Sequence, residues 1–260
     1  MRERNPRFYA VSHPAFARAA NATAAFDEPI ARSEYLLTLL LLGHRSRTLF
    51  RAFLHLQTGP VPVGARALIR PMVEINILIR FLRKDPGLHT ELWQAEGDRS
   101  SVTMSEDVRQ SPHLLARLGE VPLDEAEVQA RQQVVAQARQ RAKDAGLPVS
   151  KNGSVLPSTP GQLKVVEEPA ADSAYVFLYR SFSWEVHAGP RAFLVGTLTP
   201  TNDGRVFYDE QQSAADLLHV QVVAIATFAS TVELVGAELG LPIEAPAREI
   251  RRVFVPDAET

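Results

Sequence analysis

The sequence predicts an all-α protein: a helical bundle with two long core helices, a buried helix bearing arginine and histidine, and a small β-hairpin insertion. Three observations carry this reading. Apolar residues recur at helical spacing over long stretches, strand-like residues are confined to one short region, and Gly and Pro stand where the periodic stretches stop. Helices that each bury one stripe satisfy one another in a bundle.

The first helix is expected from Pro29 to about Gln57, opening on Pro29 and closing at Thr58-Gly59-Pro60. Its core stripe is Leu39, Leu42, Leu49, Phe50 and Phe53. The next, Ala65 to Lys84, is apolar almost all round through Ile69, Met72, Val73, Ile75, Ile77, Leu78, Phe81 and Leu82, which places it in the middle of the fold. Pro71 should kink it or mark a restart, because proline removes a backbone donor. Asp85-Pro86-Gly87 ends it. Leu88 to Leu118 is less periodic, and Gly97 and the serines from Ser100 to Ser105 predict a break into two pieces.

Leu123 to Ala145 has high helix propensity and only a thin stripe, Val128, Val135 and Ala142, so it should be a largely solvated outer helix ending at Gly146. Residues 147–171 read as a long connection with one turn of helix after Thr159-Pro160. A helix over Tyr175 to Pro190 stops at Ala188-Gly189-Pro190. Phe193 to Leu198 and Arg205 to Tyr208 flank Asn202-Asp203-Gly204, the signature of a hairpin. A last helix runs from about Gln212 to Leu239 and stops at Gly240-Leu241-Pro242. Residues 1–260 read as a single domain, with 147–171 joining an N-terminal and a C-terminal helical part.

Composition narrows the function classes. A net charge of −2 argues against binding nucleic acid through bulk electrostatics, so any such contact must be local. No cysteine means no disulfide and no thiolate metal site, and the N-terminus lacks the apolar core of a secretory signal; both fit a cytoplasmic protein. No apolar run reaches the roughly 20 residues of a bilayer span, Gln221 interrupting the stretch around Val220 to Ala229, so no membrane partner is expected. No Gly-rich phosphate loop, HExxH pair, nucleophile-elbow serine or convincing carboxylate pair occurs, and no cofactor or metal is implied.

The segment YVFLYRSFSWEVHAGP, Tyr175 to Pro190, carries the candidate chemistry. At 100° per residue Arg180, Ser183, Trp184 and His187 share an arc of about 100°, opposite Tyr175, Leu178, Phe182 and Val186. A buried guanidinium or imidazole costs several kcal/mol unless it is paired or used, so this face is a partner network or a site. Arginine followed by histidine at this spacing occurs three times, at Arg7 and His13, Arg83 and His89, and Arg180 and His187. In a chain with 24 arginines chance alone gives about as many; only the third puts both side chains on one predicted helix face.

That spacing resembles the signature of the HEPN superfamily of helical nucleotide-binding domains, many of them metal-independent endoribonucleases. Over a longer stretch the chain resembles an uncharacterised bacterial helical family. The matching residues are Arg70 and Glu74, then Leu156 and Pro157, then Tyr179, Arg180, Ser183 and His187; Ser181 departs from the Asn, Asp or His frequent after the arginine in the nucleases. The resemblance implies a cytoplasmic, toxin-type endoribonuclease of a bacterial antiphage defence or stress system. Its partners would be RNA, a second copy in a homodimer and a protein from the same operon. His187 would be the general acid or base, Arg180 would stabilise phosphoryl charge, and Ser183 would orient the imidazole or the scissile phosphate.

The residues also support a non-enzymatic interaction or ligand-binding protein in which the arginine, glutamate and histidine form a structural network. Glu74 lies in the most apolar helix and needs a cation, which Arg70 or Arg180 can supply, with Tyr179 alongside. His187 would then cap helix-end carbonyls, and the serine would bond back to its own helix. A second stripe, His44, Arg47, Arg51 and His55, follows one face of the first helix and suits a phosphate backbone or a solvated surface.

Overall fold

The computed structural model describes residues 33–58, 67–111, 113, 122–148, 153–168, 198–200, 206–208 and 214–240. These form six helices: α1 (Glu34–Thr58), α2 (Ile69–Lys84), α3 (Pro86–Arg109), α4 (Glu125–Asp144), α5 (Thr159–Val166) and α6 (Ala214–Leu239). The chain divides into two compact units. One comprises Met1–Arg80 with Glu168–Thr260, the other Phe81–Glu167.

In the first unit α1 opens on Ser33, whose hydroxyl accepts from the Leu36 amide at 3.2 Å and serves as the N-cap. All five residues expected in its core stripe are buried, and Phe50 stacks on Phe228 of α6 with ring centroids 4.2 Å apart and planes within 7°. Helix α2 begins at Ile69, so Pro71 sits in its first turn, where its missing N–H would have had no intrahelical partner. The restart, not the kink, is realised. Leu78 is only half-buried, while Ile79, not expected in the core, is fully buried.

Helix α6 ends at Gly240, which adopts φ +66°, the left-handed region that glycine enters without strain. Residues Val220–Leu239 are long and apolar enough by length and composition to cross a membrane, which corrects the expectation that no stretch is; 67% of the most apolar window is buried within the protein, as in a core helix. Gln221 does not break the run, because it is itself buried.

The expected β-hairpin insertion needs correction. Among the described residues the assembly is helical, and no strand joins the helices. What pairs is a ladder three residues long, Leu198–Pro200 against Val206–Tyr208, with Thr199 opposite Phe207. A ladder of three residues a side is too short to stand as an independent element of the fold, and Phe193 to Thr197 lie outside the described residues. The Tyr175 to Pro190 helix, expected as the buried Arg/His helix of the bundle, also lies outside them.

In the second unit α3 runs unbroken from Pro86 to Arg109, against the expected break at Gly97 and the serines. It has a strong start. Asp85 caps the Leu88 amide at 3.0 Å and Pro86 occupies the first turn. Along the helix, the Ser101 hydroxyl donates to Gly97 O and Thr103 to Arg99 O, so these side chains satisfy themselves on the helix that they were expected to interrupt. An interior glycine costs about 1 kcal/mol, too little to stop a helix whose other face is packed. A Cβ at Gly97 would meet nothing within 4 Å. Gly97→Ala is therefore expected to raise stability by about 0.5–1 kcal/mol in urea unfolding. Gly161→Ala should lower it, since its Cβ would lie 3.0 Å from Pro157 Cβ.

Helix α4 carries a full capping box, Asp124 and Glu127 each accepting from the other's backbone amide. Its expected stripe of Val128, Val135 and Ala142 is buried, joined by Ala138. Val135, Ala138 and Ala142 form one cluster with Leu92 and Ala95 of α3 and Val155. The single turn expected after Thr159-Pro160 extends to the eight residues of α5.

Candidate functional site

Arg180, Ser183, His187 and Tyr179 lie outside the described residues. Of the residues expected to support them, Arg70 and Glu74 are placed: Arg70 Nε donates to Glu74 Oε1 at 3.2 Å, one helical turn apart on α2. Their side chains are 19% and 37% exposed, so the pair contributes little to stability, about 0.5 kcal/mol or less. It still answers the question raised by a carboxylate in an apolar helix. The cation that Glu74 needs comes from its own helix.

The Leu-Pro lead-in is a packed corner. Pro157 is buried, its carbonyl accepts from the Gln162 side chain at 2.9 Å, and a Cβ on Gly161 would lie only 3.0 Å from the Pro157 Cβ. The α1 stripe divides: His44 and Arg47 are half-buried, while Arg51 and His55 are exposed. Arg83 and His89 do not form a face. Arg83 is exposed at the end of α2, whereas His89 is buried in the first turn of α3. The His89 ring stacks on Phe81 at 3.7 Å, and its Nδ1 donates to Phe81 O. Burial holds its pKa below the ordinary histidine value against the opposing pull of that hydrogen bond and of Asp85, so the imidazole is neutral at pH 7.

The polar constellation that the structure builds in the first unit was missed by the sequence reading. Asn76 Nδ2 donates to Ser230 Oγ at 3.2 Å and to Thr231 Oγ1 at 3.0 Å, tying α2 to α6. Arg80 Nε donates to Asn76 Oδ1 at 3.0 Å, and its Nη2 donates to Ser230 Oγ at 2.9 Å. Its Nη1 pairs with the Glu168 carboxylate. The available signal was Asn76 and Arg80 one turn apart among isoleucines, with Ser230-Thr231 adjacent in the other apolar helix. Glu74 is not part of it: at 100° per residue it points about 160° away from Asn76.

In the second unit Glu96 gathers donors. It accepts from Arg99 at 2.6 Å, from the Ser154 hydroxyl at 2.9 Å and from the Val155 amide at 2.7 Å, pinning residues 154–155 to α3. Burial pushes its pKa up, but the hydrogen bonds from Arg99, Val155 and Ser154 outweigh it and hold the carboxyl below the ordinary glutamate range. A depressed folded-state pKa means that this stabilisation is complete above the unfolded value of 4.5 and is lost as pH falls through the folded one. Glu96→Gln should cost about 2 kcal/mol at pH 7, and that difference should shrink below pH 4. A thermal-unfolding series from pH 3 to pH 7 measures it; a gap constant across the series would refute the account.

Among the described residues no group of three His, Cys, Asp or Glu is placed to hold a metal ion. What the constellations do chemically is tie helices together: the Asn76–Arg80–Ser230 network joins α2 to α6, and the pairs Arg131–Asp98 and Arg141–Glu91 join α4 to α3. The chain belongs to the family of unknown function DUF5677, which matches residues 36–205. No curated protein and no solved structure matches it.

Proposed function

We propose that the chain is a metal-independent endoribonuclease of HEPN type, acting as a toxin-type effector, with Arg180 and His187 as its working pair. The observation that carries the reading is the Arg70–Glu74 bond. Glu74, 37% exposed on α2, already has the Arg70 guanidinium as its cation, so it does not by itself call for Arg180. Arg180, on one predicted helix face with Ser183 and His187, is read as the phosphate ligand. In this mechanism the RNA 2′-oxygen forms a bond to the adjacent phosphorus as the bond to the 5′-oxygen breaks. His187 and its copy in a homodimer take the 2′ proton and supply one to the leaving oxygen, and Arg180 offsets the charge on the phosphoryl oxygens.

The test is incubation of purified protein with labelled RNA, with and without chelator. Cleavage that persists in chelator and disappears in His187→Ala is expected; no cleavage, or cleavage indifferent to that substitution, sinks the proposal. A second reading, a non-enzymatic helical interaction or ligand-binding protein, is favoured by the completeness of the Asn76–Arg80–Ser230 network. It is the outcome if His187→Ala changes nothing but partner binding.

A further inference from the structure

We infer that the outer face of α1 is a contact surface for a phosphodiester backbone, with Arg45 and Arg51 as its two anchoring cations. The inference rests on the RNA reading above and names where the strand lies. Other described arginines are engaged. Arg70, Arg80, Arg99, Arg131 and Arg141 pair with carboxylates, Arg109 and Arg139 donate to backbone carbonyls, and Arg47 and Arg83 have interactions of their own. Arg45 and Arg51 are exposed and make no hydrogen bond or ion pair among the described residues.

Their setting suits a polyanion. Helical geometry puts the two Cα atoms roughly 10 Å apart, on either side of a strip formed by Thr48 and Ala52. Both strip residues are exposed and small, and the Thr48 hydroxyl is turned back to its own helix, donating to His44 O. A chain of regularly spaced phosphates can therefore approach the helix closely between two guanidinium forks, each able to grip phosphate bidentately. After Glu34 the helix carries no acid, so nothing on it competes for the arginines. The face sits on a chain of net charge −2, which makes it the local contact that bulk charge cannot provide.

An anionic membrane fits less well. Leu37 and Leu41 are exposed at 42% and 51%, but from Arg45 to His55 the outward residues hold nothing apolar larger than alanine. Two cations with so little apolar surface give only weak bilayer attachment.

The test is fluorescence anisotropy of the full chain with a labelled single-stranded oligoribonucleotide whose 2′-hydroxyls are methylated, so that it cannot be cleaved, titrated at salt from about 50 to 200 mM. The plot of log affinity against log salt should flatten by about 0.7 in Arg45→Gln or Arg51→Gln and about 1.4 in the double variant. Lys164→Gln, an exposed cation of the other unit, should leave it unchanged. A double variant with the original slope, in a protein that still cleaves RNA, overturns the face and leaves the ribonuclease reading standing. An equal flattening in Lys164→Gln overturns it as a net-charge effect. Loss of binding to phosphatidylserine vesicles in the double variant, with RNA binding intact, overturns it in favour of a membrane. A wild-type chain that binds no RNA overturns both readings.

Discussion

Phe50→Ala is expected to destabilise the protein by about 3–5 kcal/mol, the largest effect of any single truncation considered for the first unit. Phe50 is 1% exposed, lies 4.2 Å from the Phe228 ring in a near-parallel stack and has Phe53 at 6.3 Å on its own helix. Removing it forfeits the transfer free energy of a whole aromatic side chain and leaves a cavity that two helices cannot close without shifting. The pairing with Phe228 adds about 1 kcal/mol beyond area. For a chain of this size the melting temperature should fall by roughly 6–20 °C. Leu37→Ala on the exposed side of the same helix is the control, with an expected change under about 0.5 kcal/mol. Equal effects at the two positions would mean that α1 does not pack on α6 through this face.

Arg80→Ala should cost about 2–3 kcal/mol, and the reason lies less in its ion pair than in what it leaves behind. Glu168 is 37% exposed and can turn to water once its partner goes. Asn76 Oδ1 has no such recourse, being held between α2 and α6 with its amide committed to Ser230 and Thr231. A part-buried acceptor stripped of its donor costs about 1–3 kcal/mol. Double-mutant cycles separate the two terms. Coupling of Arg80 to Asn76 should exceed its coupling to Glu168, the latter staying under about 1 kcal/mol. The reverse order would show that the ion pair carries the network. Replacing Asn76 and Arg80 with leucine and methionine, together with Ser230→Ala, should recover most of the loss, because the Ser230 hydroxyl that both donors served goes with them and the Thr231 hydroxyl keeps its bond to Thr227 O.

How much of this was legible in the sequence depends on what kind of signal each feature leaves. Burial of Leu39, Leu42, Leu49, Phe50 and Phe53 follows from period alone, and so does the thin stripe of α4. The continuity of α3 through Gly97 was hidden, because composition shows a weak residue but not the Asp85 cap that outweighs it. The hairpin was over-read: Asn202-Asp203-Gly204 signals a turn, yet pairing extends only three residues on each side. The Asn76–Arg80–Ser230 network could not be paired by spacing, since its halves stand about 150 residues apart and only the packing of two apolar helices brings them together. The local pair Arg70–Glu74 was within reach, being one helical turn apart.

The grip of Glu96 on residues 154–155 means that this short stretch takes its position from a helix far away in the sequence. The Val155 amide ends on a side chain of α3, not on backbone of its own loop, so its protection from hydrogen exchange should track the integrity of that helix. A change in the loop's sequence would leave this protection standing, whereas one substitution fifty-nine residues upstream would release it. The loop is thus a dependent of α3, and its amide is a local reporter of whether that helix is folded.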